Sequence, residues 1–158
     1  MSYDGSKIVK DYGIIEGHQN FPREIAAFAY DAGFRLNRLV MAVTIALAES
    51  NGYRHARHVY VDDKNNVLYT DRGMWQLHSY WHAEVSDKCA YDPSCAAKEV
   101  FRITKGGREW GQWASFTSDV YKNYRQRAIK GVINFYYYRW HRKNVSYFQG
   151  LLDKMRNN

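Results

Sequence analysis

Glu49 closes a run of twelve residues, LVMAVTIALAES from Leu39 to Ser50, that otherwise carries no charge. A carboxyl held against so apolar a segment is desolvated. That disfavours its ionised form and lifts its pKa towards the range in which it can donate a proton near neutral pH. The plain alternative is a helix-end glutamate that reaches water; perturbed carboxyls cluster at reactive sites, which makes Glu49 the first candidate. His78 and His82 stand i, i+4, and His55 and His58 stand i, i+3, so each pair would share one helical face and offer two metal ligands. The glutamate of an HExxH zinc motif is missing, because Ser79 holds its place, and no third ligand accompanies them. Surface or hydrogen-bonded histidines are the expectation, with no metal and no cofactor. Cys89 and Cys95 lie six apart in DKCAYDPSC. A loop turning into a helix can close that separation into a disulfide, and two small buried thiols fit it equally well.

The scaffold that must position these groups is 158 residues long, the size of one domain. With 46% hydrophobic and 16% aromatic residues it can bury a core, which excludes disorder for most of its length. No run approaches the ~18 apolar residues of a membrane span. The first twenty residues lack the apolar stretch and cleavage site of a secretory leader, so synthesis in a cytoplasm without a Sec signal is expected. After Pro22, the positions Ile25, Phe28, Ala29 and Ala32 recur at helical spacing up to Gly33. Asn37 can cap a second helix, apolar around its circumference and therefore central to the fold, which Gly52 ends. Val59 to Val61 and Val67 to Thr70 flank the polar residues 62–66 and predict a β-hairpin. A short helix is expected over Met74 to His82 and another from Asp92-Pro93 to Gly106-Gly107. From about Ser118 the chain reads as helical with a break near Gly131. The fold class is mainly α (α+β), with one small hairpin after the central buried helix.

The string AVTIALAESNGY, then the hairpin, then DRGMWQLHSYWH, then GQWASFTSDVY, resembles the goose-type lysozyme and lytic transglycosylase superfamily. It most resembles the lysozyme-like domains that phages of actinobacteria direct at the host wall. The similarity spans roughly Leu39 to Tyr124 and rests on the order and spacing of the motifs together. It implies a lysozyme-like fold and cleavage of the glycan strands of peptidoglycan. Glu49, with Ser50 behind it, matches the family's Glu-Ser pair, whose glutamate is the general acid that protonates the glycosidic oxygen. Gly73 and Gln76 match the Gly-x-x-Gln element that lines the glycan cleft. Glycine lets backbone approach a sugar, and glutamine both donates and accepts hydrogen bonds. Trp75, Tyr80 and Trp81 can offer flat faces to sugar rings or serve the core. Phe116, Thr117 and Tyr121 fall in the last motif and complete the expected substrate-binding set.

Departures from the pattern matter as much. Where the goose-type lysozymes carry an aspartate two residues beyond the glutamine, this chain has His78. The nearest other carboxylate is Asp71, at the end of the hairpin, where it can face Glu49. The family's Tyr-Asn element stands here as Phe116-Thr117, which removes the phenol that would hydrogen-bond the glutamate and leaves Thr117 as a partial substitute. Two chemistries follow. In hydrolysis with inversion, Glu49 protonates the leaving oxygen while Asp71 activates water, with the carboxyls ~6.5 to 9.5 Å apart. In the transglycosylase route Glu49 acts alone, as acid and then as base on the muramic acid's 6-hydroxyl, leaving an anhydro end; the change at His78 leans towards this route. A domain that keeps the fold as a wall-binding or phage tail structural part, with little or no activity, is the alternative.

The net charge of +7 is unevenly spread. Residues 121–158 hold nine basic residues against one acid, while residues 1–120 hold fourteen bases and fifteen acids. A nearly neutral lysozyme-like domain over 1–120 is therefore followed by a basic helical segment over 121–158, expected to pack on the same domain. That segment interleaves its charge with Phe135, Tyr136, Tyr137, Tyr138, Trp140, Tyr147 and Phe148. Interleaving of this kind suits single-stranded nucleic acid. A terminal helix that packs its aromatics and solvates its cations is the better fit, as is contact with anionic wall polymers. The expected partners are thus peptidoglycan strands and anionic wall polymer, not nucleic acid. The protein is expected to act on the wall as a monomeric lysin or as part of a larger phage virion protein.

Overall fold

The computed structural model describes residues 7–11 and 18–157. A strand, β1 (Lys7–Asp11), precedes two helices, α1 (Pro22–Ala32) and α2 (Leu36–Ser50). The hairpin β2 (Arg57–Val61) and β3 (Val67–Arg72) follows, with a two-residue strand β4 (Leu77–His78) beside it. Helices α3 (Asp87–Tyr91), α4 (Pro93–Ile103) and α5 (Ala114–Thr117) lead through a 3-10 turn, Val120–Tyr124, into the long helix α6 (Arg125–Arg156). The strands form one antiparallel sheet in the order β1-β2-β3-β4. The mainly α, lysozyme-like α+β class with a hairpin after the central helix is the one expected; β1 and β4 enlarge the hairpin to four strands.

Helix α2 is central because its sequence is apolar on every side. Leu39, Val43, Ile45, Ala46 and Leu47 are all buried, in one core with Ile25 and Ala29 of α1, Ala97 and Val100 of α4, and Ala128 and Val132 of α6. Each large aliphatic side chain so enclosed contributes roughly 1.5–3 kcal/mol. Pro22 opens α1, where the Glu24 carboxylate accepts the Phe21 amide at 3.0 Å. Asn37 is not the cap of α2. The helix begins one residue earlier, behind an extended Arg35 whose guanidinium donates to the Tyr30 and Phe34 carbonyls.

Two other local expectations are overturned. No helix covers residues 74–82: Gly73 and Gln76 take left-handed backbone angles, φ +75° and +52°, and Leu77–His78 pairs with Asp71 and Arg72 instead. The histidine pair of that stretch therefore does not share a helical face. Nor does Gly131 break the last helix. It lies inside α6, where a Cβ would stand 2.4 Å from Pro22 Cβ, so glycine is there to let α1 and α6 touch. The same contact surface holds Tyr30 of α1, ringed by Phe135, Tyr136 and the guanidinium groups of Arg35 and Arg139. The start of the basic segment is thus part of the same packed body. Cys89 and Cys95 form a disulfide that ties α3 to α4.

Candidate active site

The last turn of α2 delivers Glu49 to the edge of an open groove of about 450 Å³, whose walls include Asn51, Tyr53, Tyr124 and Arg127. Burial against the apolar helix pushes the Glu49 carboxyl above the usual range. The Ser115 hydroxyl donates to Glu49 Oε1 at 2.6 Å and pulls the other way, and the negative charge of Asp71 adds a further upward push. Arg127 donates to Asn51 Oδ1 at 2.9 Å, so the first turn of α6 furnishes part of the groove wall.

Asp71 owes its place to strand register. In the antiparallel ladder His58 of β2 lies directly opposite Asp71 of β3, which lies directly opposite His78 of β4. Directly paired residues share a face, so the carboxylate stands between two imidazoles. The Tyr60 hydroxyl, two residues further along β2 and so on the same face, donates to Asp71 Oδ2 at 2.8 Å. Burial raises the Asp71 carboxyl, opposed by the Tyr60 hydrogen bond and then by His78, His58 and Arg72. His78 is itself held below its usual pKa, chiefly by burial, with Asp71 opposing. Its Nδ1 accepts the amides of Tyr80 and Trp81, which leaves the ring hydrogen on Nε2. Tyr69, His78, Tyr80 and Trp81 continue from Asp71 as a chain of ring contacts 4.9–6.4 Å apart. Tyr80 and Trp81 end it 60% and 63% exposed, with faces open to a ligand.

Several expected ligand-binding residues have other work. Trp75 is wholly buried, its indole N–H donating to the Ala42 carbonyl, and has no face left for a sugar. Ser50 donates to Ala46 and accepts the Gly52 amide, which closes the helix behind Glu49. Gln76 donates to the Ala56 and Gly73 carbonyls, and its oxygen meets His58 Nδ1 at 2.6 Å, so it fastens the Gly73 turn to the hairpin. Gly73 is required by protein backbone rather than by a sugar: a Cβ there would lie 2.0 Å from the Ala90 carbonyl oxygen. Thr117 turns its hydroxyl back to Ala114 and does not take the role of the lost phenol. Phe116 stacks on Tyr121 with ring centres 5.2 Å apart, half-buried on the core.

Ser115 and Tyr60 belong to the site but stand outside the residues expected from the sequence. Ser115 stands one residue before Phe116 in the quoted motif, and a hydroxyl so near the family's tyrosine position was the available signal. Tyr60 was visible only as alternation along the strand. His55 stacks on Tyr91, and no group of three metal-binding side chains gathers among the described residues. No helix among them is long and apolar enough to cross a membrane.

A buried helix presenting a raised glutamate, flanked by a hairpin carrying a second carboxylate, defines a lysozyme-like α+β domain. The chain belongs to the family described as "Lysozyme like domain", whose model matches residues 26–115. Membership makes peptidoglycan the substrate class and its cleavage, as glycosidase or lytic transglycosylase, the general activity. No curated protein and no solved structure matches the chain.

Proposed function

We propose that this protein hydrolyses the β-1,4 bonds between N-acetylmuramic acid and N-acetylglucosamine, with Glu49 as general acid and Asp71 as the base that activates water. The observation that carries the proposal is the pairing of two part-buried carboxyls in unequal surroundings. Burial, the largest effect, and the charge of Asp71 favour the protonated form of Glu49, against hydrogen bonds from the hydroxyl and the backbone of Ser115. Burial raises Asp71 as well, but the Tyr60 hydroxyl, two histidines and Arg72 favour its anion. Such unequal surroundings divide the acid and base roles between two groups of one type.

In the reaction, the proton on the Glu49 carboxyl passes to the glycosidic oxygen. The bond from that oxygen to the anomeric carbon then breaks. Water adds to the anomeric carbon from the opposite face as Asp71 takes its proton, and the new reducing end is inverted. Tyr80 and Trp81 supply the aromatic wall along which sugar rings lie. The activity serves a phage that must open the wall of its bacterial host.

The test is clearing of isolated bacterial wall, followed by mass spectrometry of the fragments. Wild-type protein should clear the wall and release reducing ends, and Glu49→Gln should not clear it. Equal behaviour of the two proteins overturns the role of Glu49. Anhydro ends would replace hydrolysis by the transglycosylase route and remove Asp71 as base.

A further inference from the structure

The outer half of α6 has no counterpart in the catalytic site. Beyond Arg139, whose guanidinium still lies over Tyr30 of α1, it stands clear of the packed body, with large apolar side chains in solvent: Trp140 is 63% exposed and Met155 73%. These side chains are ordered around the helix. At about 100° per residue, Trp140, Val145, Leu151, Leu152 and Met155 fall within one half of its circumference. Arg139, Arg142, Lys143 and Lys154 occupy the other half, and Arg156 lies at its border.

The phase of this apolar half excludes the protein's own body as its cover. In the inner half of α6 the residues that face α1 and α2 are Ala128, Val132, Phe135 and Tyr136. Continued along the same helix, that side becomes the side of Arg139 and Lys143. The outer apolar half lies on the opposite side, directed away from the domain, and Ile133, 61% exposed, already marks its beginning.

We infer that the outer half of α6 is an in-plane anchor for an anionic lipid surface. Four basic residues against one acid, between Arg142 and Arg156, complement negatively charged headgroups. A half-circle of tryptophan, leucine and methionine matches the depth to which an interfacial helix sinks among acyl chains. The two other occupants fit less well. Anionic wall polymer would engage the cations and leave half the cylinder apolar and wet. A second copy paired in a coiled coil would bury a narrow seam, leave Tyr138, Val145 and Leu152 outside it, and bring like charges together without opposing acids. The anchor does not depend on which glycosidic chemistry the groove performs.

The full-length protein should co-sediment with phosphatidylcholine vesicles containing about one third phosphatidylglycerol at least ~10-fold more strongly than with phosphatidylcholine alone, and less strongly as salt is added. The triple variant Leu151→Ser, Leu152→Ser, Met155→Ser should lose about 10-fold or more of that binding and clear wall as well as the wild type. Trp140→Ser, made separately, should weaken vesicle binding in the same direction, so the result does not hang on one end of the helix. Ser146→Gln on the opposite side should change nothing. Absence of vesicle binding, or binding untouched by both apolar variants, overturns the anchor. So does a loss confined to isolated wall, or a dimer in sedimentation that only the triple variant dissolves.

Discussion

The Ser115 hydroxyl donates to Glu49 Oε1 at 2.6 Å, joining the short helix α5 to the last turn of α2. It supplies from a serine the hydrogen bond that the superfamily resemblance assigns to a tyrosine, and it helps to fix the orientation of the carboxyl. Removing it in Ser115→Ala takes away the larger of the two Ser115 hydrogen bonds that lower the Glu49 pKa and leaves the backbone one. The alkaline limb of the pH-activity curve should then move to higher pH, and kcat should fall roughly tenfold as the carboxyl loses its orientation.

Asp71→Asn should move that limb the other way. The charge of Asp71 raises Glu49, so its removal lets Glu49 ionise at lower pH. Activity should drop by about 10²-fold or more if Asp71 activates water. Tyr60→Phe should spare most of the activity while raising the Asp71 pKa, which shifts the acid limb upward. Opposite displacements for Ser115→Ala and Asp71→Asn in pH-rate profiles are the expected signature, and displacements in one direction would refute the arrangement.

Glu49→Gln should abolish wall clearing and stabilise the protein. A carboxyl whose folded pKa is raised holds more protons folded than unfolded, so its unfavourable burial is absent below the unfolded pKa. The destabilisation grows as pH rises through the folded one. At pH 7 the amide avoids this cost, and thermal melting should show a gain of about 1 kcal/mol, or ~2–4 °C, that vanishes near pH 4.

Gly131→Ala should destabilise despite the better helix propensity of alanine. The added methyl group would meet Pro22 Cβ at 2.4 Å and the Pro22 carbonyl carbon at 2.8 Å, forcing α1 and α6 apart. A loss of roughly 1–3 kcal/mol in denaturant unfolding is expected. Gly150→Ala in the same helix meets nothing within 4 Å and should be neutral or stabilising.

Much of this molecule could be read from residue order. The apolar stretch from Leu39 to Ser50 allows no placement but the centre, so a buried helix ending in Glu49 follows from hydrophobicity alone. The polar turn between Val61 and Val67 likewise dictates the hairpin, and with it Asp71 near its end. Pro22 and Pro93 announced two helix starts because proline suits the first helical position. What residue order could not convey is everything that depends on meeting a distant segment. The cradle of Asp71 needed the strand register that sets it opposite His58 and His78 and within reach of Tyr60. The helix expected over 74–82 failed because the left-handed turns at Gly73 and Gln76 are held by contacts with Ala90, Ala56 and His58, none of them local. Trp75 became core rather than platform once α2 offered it the Ala42 carbonyl. The amphipathic outer half of α6 is plain in the sequence, but only the packing of its inner half determines that the apolar side points away from the domain, since a rigid helix carries one phase from end to end.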